Sequence, residues 1–547
     1  MTEAVEYDVV VLGGGPVGEN VADRTRAAGL STALVESELV GGECSYWACV
    51  PSKALLRPVL ARADARRVPG LAGAVGGPLD TAAVFAHRDY WTNDWNDDGQ
   101  LDWLGSIGVH LYRGHGRLYG SRKVAVTSPE GEHHVLSARH AVVVCTGTRA
   151  VIPDVPGIAG ARPWTSREAT SAREVPGRLL IVGGSVVAAE MATAWQGLGS
   201  QVTVLARDSG LLPRMEPFAG ELVAEALREA GAVVRTGVSV EAVVREGSTG
   251  PVRVVLQGGE TLEGDELLMA TGRAPRTEDI GLETVGLKPG DWIAVDDSCR
   301  VPGHDWLYAV GDVNHRALLT HQGKYQARIT GAVIAARAAG SGELDTSRWG
   351  AHVATADTEA LPQAVFTDPE AAAVGLTLAE AGRAGYRVRA VDYDLGRVSG
   401  AGLYADGYRG RARMVVDLDR EVLLGVTFVG PGAAELVHAA TIAVAGEVPI
   451  ARLWHAVPSF PTVSEIWLRL LEAYRVGRTA GSAARARNRV VVGVSAISRG
   501  RGTGASAGLR VVACRAKPLR GPAARPRPVP DGDPRGVPAA GAGIRPR

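Results

Sequence analysis

Two glycine-rich segments, residues 7–36 and 179–207, predict an α/β chain built on two Rossmann-like dinucleotide-binding domains. Each reads as an apolar strand, a turn with small residues at G-x-G-x-x-G spacing, a helix and a second strand. At 547 residues the chain is also too long for one hydrophobic core, which fits several domains.

The first segment, YDVVVLGGGPVGENVADRTRAAGLSTALVE, carries Gly13, Gly15 and Gly18 in the turn and ends in Glu36. The glycines permit a tight turn and close approach of a pyrophosphate, the helix N-terminus faces the phosphates, and the acid accepts a ribose hydroxyl. The second segment, LLIVGGSVVAAEMATAWQGLGSQVTVLAR, places Gly183, Ser185 and Ala188 at the three small positions. Ser185 replaces a glycine and is expected to crowd the backbone slightly. Ala206 stands where Glu36 stood, and Arg207 follows. Losing the acid removes both the 2′-hydroxyl acceptor and the repulsion of a 2′-phosphate, and the arginine offers that phosphate a charge-assisted partner. NADPH is therefore favoured over NADH.

Composition excludes other classes. No apolar run reaches the roughly 20 residues needed to span a bilayer, and the acidic start MTEAVEYDVVVLGGG lacks the features of a signal peptide. A cytoplasmic location is the expectation. The formal net charge of zero hides an imbalance: from Gly477 onward there are fifteen Lys and Arg against two Asp. This Arg-, Gly-, Ala- and Pro-rich tail, residues 478–547, reads as disordered, and a nucleic-acid role for it is not favoured.

The chain has five cysteines, two of which, Cys44 and Cys49, are separated by four residues in GGECSYWACVPSK. In reducing cytosol such spacing points to metal binding or redox chemistry rather than a structural bridge. Metal needs three or four ligands, and the nearby His87 and His110 fall at no recognisable spacing, so no metal site is assigned. Cys145, in AVVVC, reads as core packing.

These segments together resemble the class I pyridine nucleotide-disulfide oxidoreductases, the family of dihydrolipoamide dehydrogenase, glutathione reductase and mercuric reductase. The similarity covers residues 7 to about 475 and rests on GGECSYWACVPSK, CTGTRAVIPDVPG, ATGRAPR, LYAVGDV, VFTDPEAAAVGLT and PTVSEIW, in that order. It implies a C-terminal α+β dimerisation domain and a homodimer. The implied boundaries are an FAD-binding domain at 1–160, an NAD(P)-binding domain at 161–285, a return to the FAD-binding region at 286–350 and a dimerisation domain at 351–477. The resemblance implies FAD held by Gly13, Gly15, Gly18, Glu36, Lys53, Gly116, Thr146, Gly147 and Asp312, and NAD(P) by Gly183, Gly184, Arg207 and Gly272. Lys53 and Glu190 resemble the charged pair beside the flavin ring. Reduced nicotinamide would pass hydride to flavin, and flavin would reduce a Cys44–Cys49 disulfide. Cys49, nearer the ring, would hold a thiolate in charge transfer with flavin, Cys44 would attack the acceptor, and a helix starting near Pro51 is expected to lower both thiol pKa values.

One position departs from the pattern. Disulfide-reducing members end in His-Pro-Thr-x-x-Glu, where the glutamate orients a histidine that protonates the leaving thiol. Here Phe460 takes the histidine's place before Pro461, Thr462 and Glu465. General acid–base help is worth about 10² to 10⁴ in rate, so efficient lipoamide or glutathione turnover is not expected, and His455, five residues upstream, is an unpromising substitute because Pro458 and Pro461 fix the intervening chain. The expectation is a flavin-dependent NAD(P)H oxidoreductase with Cys44, Cys49, Lys53, Glu190 and Glu465 as catalytic candidates and a small-molecule acceptor, a disulfide or a metal ion. The alternative is a quinone or diaphorase-type reductase in which the disulfide is not essential.

Overall fold

The computed structural model describes residues 4–476 apart from 248, 341 and 342; the expectations for the tail lie outside the described residues. A run of β-branched residues forms β1 (Val5–Leu12), which sits centrally because its side chains are buried on both faces. Helix α1 (Pro16–Ala27) crosses to β2 (Thr32–Glu36), and β3 (His110–Arg113), β4 (His115–Leu118), β5 (Lys123–Thr127) and β6 (His133–Val144) complete the order β3-β2-β1-β6-β5-β4. The pairings of β1 with β2 and with β6 are parallel, so the strand order reverses at β1 and opens a crevice at its carboxyl end. Much later the chain returns, and Leu307–Ala309 pairs in parallel with β6.

Between β2 and β3 lie α2 (Gly42–Tyr46) and the eighteen-residue α3 (Cys49–Arg66). The second nucleotide unit is a parallel sheet of β7 (Arg178–Val182), β8 (Gln201–Ala206), β9 (Val233–Thr236) and β10 (Glu266–Met269), in the order β9-β8-β7-β10. Its helix α4 (Val186–Leu198) is apolar nearly all round because it is covered by the sheet on one side and by α3 on the other. Gly197 makes that crossing close, since a Cβ there would lie 2.3 Å from a Val59 methyl.

The C-terminal part is an antiparallel sheet of β11 (Pro362–Val365), β12 (Glu370–Gly375), β13 (Val388–Asp394), β14 (Arg411–Asp417) and β15 (Val422–Gly430), ordered β11-β12-β15-β14-β13. One core cluster joins it to the second unit: Val365, Ala371, Ala373 and Val429 pack in the same cluster as Trp195 and Leu55. Helix α5 (Thr320–Ala338) lies along α1 and carries Thr320 at its first turn. Among the described residues no helix is long and apolar enough to cross a membrane.

Trp195 is fully buried and touches Phe85 and Trp164, yet its indole N–H has no hydrogen-bond partner among the described residues. Trp195→Ala should destabilise by about 3–5 kcal/mol. Trp195→Phe should lose less than about 2 kcal/mol, because it also removes the unpaired donor. Urea unfolding of both variants checks the difference.

Candidate active site

The cysteine loop is folded directly onto the first glycine turn. The Gly41 amide donates to the Gly14 carbonyl at 2.8 Å, and a Cβ on Gly42 would come within 2.9 Å of the Gly15 Cα. That contact sets Cys44 at the wall of a cleft of 360 Å³, which is also lined by Gly13, Gly15, Glu36, Gly116, Thr146, Gly147 and Asp312. Seven residues expected at one cofactor site from widely separated stretches thus share one surface. Gly18 lies beneath it, where a Cβ would be 1.9 Å from the Gly13 carbonyl oxygen.

Cys44 and Cys49 are free thiols, partly buried and hydrogen-bonded to each other. They divide one proton unequally. Cys49 is drawn down to about 6, first by the hydrogen bond from Cys44, with help from Thr320, whose Oγ1 lies 3.5 Å from the Cys49 Sγ, and from the Lys53 ammonium. Cys44 moves the other way, raised by its role as donor to Cys49 and then by burial; Lys324, one turn along α5 from Thr320, only partly opposes this. The expectation that a helix end would lower both thiols is therefore corrected. Helix α3 begins at Cys49 itself, and two thiols sharing a proton cannot both be acidic.

Lys53 donates to Glu190 at 2.7 Å, and the other oxygen of that carboxylate accepts the Phe366 amide at 3.0 Å. Only the Lys53 side chain keeps solvent contact, 36% against 4% for Glu190. Asp312 accepts from the Thr148 hydroxyl at 2.8 Å, and burial nonetheless raises its pKa.

The cleft has the features that an FAD would use. The Thr146 hydroxyl is buried without a partner among the described residues, Gly15 faces open space where a side chain would project, and Glu36 accepts the Gly14 amide at 2.6 Å at the strand end. Gly13 is held at φ +108° with no room for a Cβ, which would meet the Cys145 carbonyl oxygen at 2.5 Å. Cys145 itself is buried in the core.

The second unit repeats this geometry. Gly183 has φ +135° and abuts the Ala270 carbonyl as Gly13 abuts that of Cys145. Ser185 does not crowd the turn, because its hydroxyl donates to the Ala270 carbonyl at 3.1 Å. Gly184 lies against Ala206, and Gly272 follows β10 with open space at its Cα. Arg207 is exposed at the end of β8 and forms no ion pair among the described residues.

Within the chain, Glu465 is not brought to the thiols. It is buried, bonded through one oxygen to Arg469 at 2.5 Å, and its other oxygen has no partner among the described residues. Phe460 is 74% exposed, and His455 is exposed as well. Among the described residues no group of three or more His, Cys, Asp or Glu is arranged to hold a metal ion. Thr148, Thr320, Lys324 and Phe366 went unread in the sequence, because each acts through a contact made by folding and carries no spacing motif.

Comparison with known proteins agrees with this geometry. The family model described as pyridine nucleotide-disulphide oxidoreductase matches residues 7–339, and that family's dimerisation domain matches residues 361–470. The chain belongs to the pyridine nucleotide-disulphide oxidoreductase family. It is accordingly a flavin-dependent enzyme of the type that passes electrons from a pyridine nucleotide through FAD to a redox disulfide. The chain is 33% identical to a dihydrolipoyl dehydrogenase of Thermus scotoductus over 85% of this chain and 97% of that one. It is 29% identical to a mercuric reductase of Staphylococcus aureus over 84% and 81%. A similar fold occurs in the Cu(II) complex of the HOCl-induced flavoprotein disulfide reductase RclA from Escherichia coli, with a TM-score of 0.73 and 23% identity over 85% of this chain and 99% of that one.

In the reduced enzyme, alkylation by iodoacetamide should show a thiolate that persists down to about pH 6. Cys44→Ala removes the first cause of that depression and should move the midpoint up toward the ordinary thiol value of about 8.5. Rate against pH, with peptide mapping of the modified cysteine, checks it.

Proposed function

We propose that Cys44 and Cys49 are the redox pair of an FAD-dependent, NADPH-preferring oxidoreductase whose acceptor needs no proton delivered to a leaving thiol. Acceptors of that kind are thiophilic metal ions and disulfides whose departing thiol is already acidic. The single observation that carries the reading is the contrast between a Cys49 thiolate held by groups of its own chain and an exposed Phe460 where a proton donor would stand. Relatives named mercuric reductase make a metal ion a natural candidate.

When bound, FAD supplies the two-electron relay between nicotinamide and sulfur. The chain's own residues do the rest. Opening the Cys44–Cys49 bond takes up two electrons and one proton, giving the Cys49 thiolate and the Cys44 thiol. Lys53 offsets the new negative charge, and Glu190 holds Lys53 in place. Once deprotonated, Cys44 either attacks an acceptor sulfur or ligates a metal ion together with Cys49. With a disulfide, Cys49 then attacks Cys44 in the mixed disulfide, expels the second thiolate and restores the starting bond.

Gly13, Gly15, Gly18, Glu36, Gly116, Thr146, Gly147 and Asp312 are assigned to FAD, and Gly183, Gly184, Gly272 and Arg207 to the nicotinamide dinucleotide. Preference for the 2′-phosphate follows from an unpaired Arg207 beside Ala206, where the first unit has Glu36. A homodimer is supported by apolar side chains left exposed on the C-terminal part, including Leu403 at 75%, Val457 at 82% and Phe460. Glu465 then serves in holding the 460–465 segment toward a second copy. A cytoplasmic setting suits a working dithiol.

Arg207→Glu should lower the NADPH-to-NADH ratio of kcat/KM by about tenfold or more, a charge-assisted phosphate contact being worth roughly 1.5–3 kcal/mol. Phe460→His should raise turnover of glutathione disulfide or lipoamide by about 10² while leaving a disulfide with an acidic aromatic thiol unchanged. Cys44→Ser decides the pathway: reduction of Hg(II), Cu(II) and disulfides should disappear. If menadione reduction is the one robust activity and survives in Cys44→Ser, the quinone reductase reading replaces this one.

A further inference from the structure

A second cavity, of 430 Å³, lies where α3, α4, the helix Pro217–Glu229 and the C-terminal part meet. It shares no lining residue with the cofactor cleft. Its size falls in the range of small-molecule sites, roughly 300–1,000 Å³. Four arginines line it, and their partners divide them into two kinds.

Two are neutralised. Arg67 is bound by Asp368 at 2.5 Å and reaches Asp64 at 3.4 Å, while Arg409 is bound by Glu229 and lies 3.7 Å from Glu225. Those acids account for every carboxylate in the lining. The other two arginines have no carboxylate. Arg62 is clamped by two carbonyls, Gly77 at 3.1 Å and Gly197 at 2.8 Å, and Arg66 makes no hydrogen bond or ion pair among the described residues. The pair sits one turn apart on the same face of α3, a spacing at which like charges destabilise a helix. Burial, then the field of Arg66, depress the Arg62 pKa.

We propose that this cavity binds a phosphomonoester with a small apolar body, the phosphoryl group lying between Arg62 and Arg66. A tetrahedral dianion accepts hydrogen bonds from two guanidinium groups at once and removes their mutual repulsion. Arg62 is already fixed by its two carbonyl contacts, so little side-chain freedom is lost on binding. Val59, Leu222, Ala226 and Pro369 form an apolar floor for the rest of the ligand. An occupant would bridge α3 and α4, the two helices that carry Lys53 and Glu190.

The test is calorimetric titration of the full-length, FAD-loaded enzyme with phenyl phosphate and with inorganic phosphate, at ionic strength matched with chloride. The expected result is one phenyl phosphate per chain, bound more tightly than inorganic phosphate, and about tenfold or more weaker binding in Arg66→Gln. Arg66 makes no bonds that the variant could lose, so its melting temperature in phosphate-free buffer should equal or exceed that of the wild type. Arg207→Glu should leave phenyl phosphate binding unchanged. No phosphate-dependent heat in the wild type, equal affinity in Arg66→Gln, or loss of binding in Arg207→Glu instead would each overturn the site. Equal affinity for the two probes would overturn the apolar part of the ligand assignment.

Discussion

The carboxylate of Glu190 is the contact on which the arrangement depends, because it ties together three parts of the chain that share no backbone connection nearby. One oxygen takes the Lys53 ammonium from the helix that begins at the redox pair, and the other takes the Phe366 amide from the C-terminal part. Glu190 itself stands on the helix of the second nucleotide unit. Removing Lys53 would leave the buried Glu190 carboxylate without its cation, a loss that the solvent contact of Lys53 partly screens. The same contact holds Lys53 where its field reaches Cys49. The ion pair therefore holds the junction together and adds a smaller share to the acidity of Cys49, which is set first by Cys44 and then by Thr320.

The redox pair shows how electrostatics assigns roles to chemically identical groups. Both thiols are similarly buried and lie near the same hydroxyl of Thr320. What separates them is the direction of their mutual hydrogen bond and the side from which a cation acts, Lys53 near Cys49 and Lys324 near Cys44. Two thiolates at that separation would repel strongly, so acidity gained by one is lost by the other. Glu19 shows the same dependence on surroundings. Burial on α1 raises its carboxyl to about 7, partly offset by Lys324.

The glycine positions were legible because their reasons are local in form. A turn with φ above +100° and a carbonyl 2.3–2.5 Å from a would-be Cβ accepts glycine alone, so Gly13 and Gly183 leave a mark in any sequence with this turn. The cysteine spacing and the small residues of the second turn were equally readable. Ser185 was misjudged in detail, since its hydroxyl finds a carbonyl 85 residues away. Thr320 and Phe366 were not readable at all. Each is an ordinary residue until folding brings a sulfur or a carboxylate to it.

By itself the sequence determined the two nucleotide units, the cysteine pair, the missing acid at Ala206 and the missing proton donor at Phe460. All of these depend on residue type at fixed spacing along one short stretch. Only the tertiary structure decided that the acidity of Cys49 comes with a raised Cys44, that Thr320 and the Phe366 amide complete the surroundings of Cys49 and Glu190, and that Arg62 and Arg66 face a cavity with no carboxylate left for them. Charge acts through space and falls with distance and burial, so its consequences follow from positions that the order of residues does not contain.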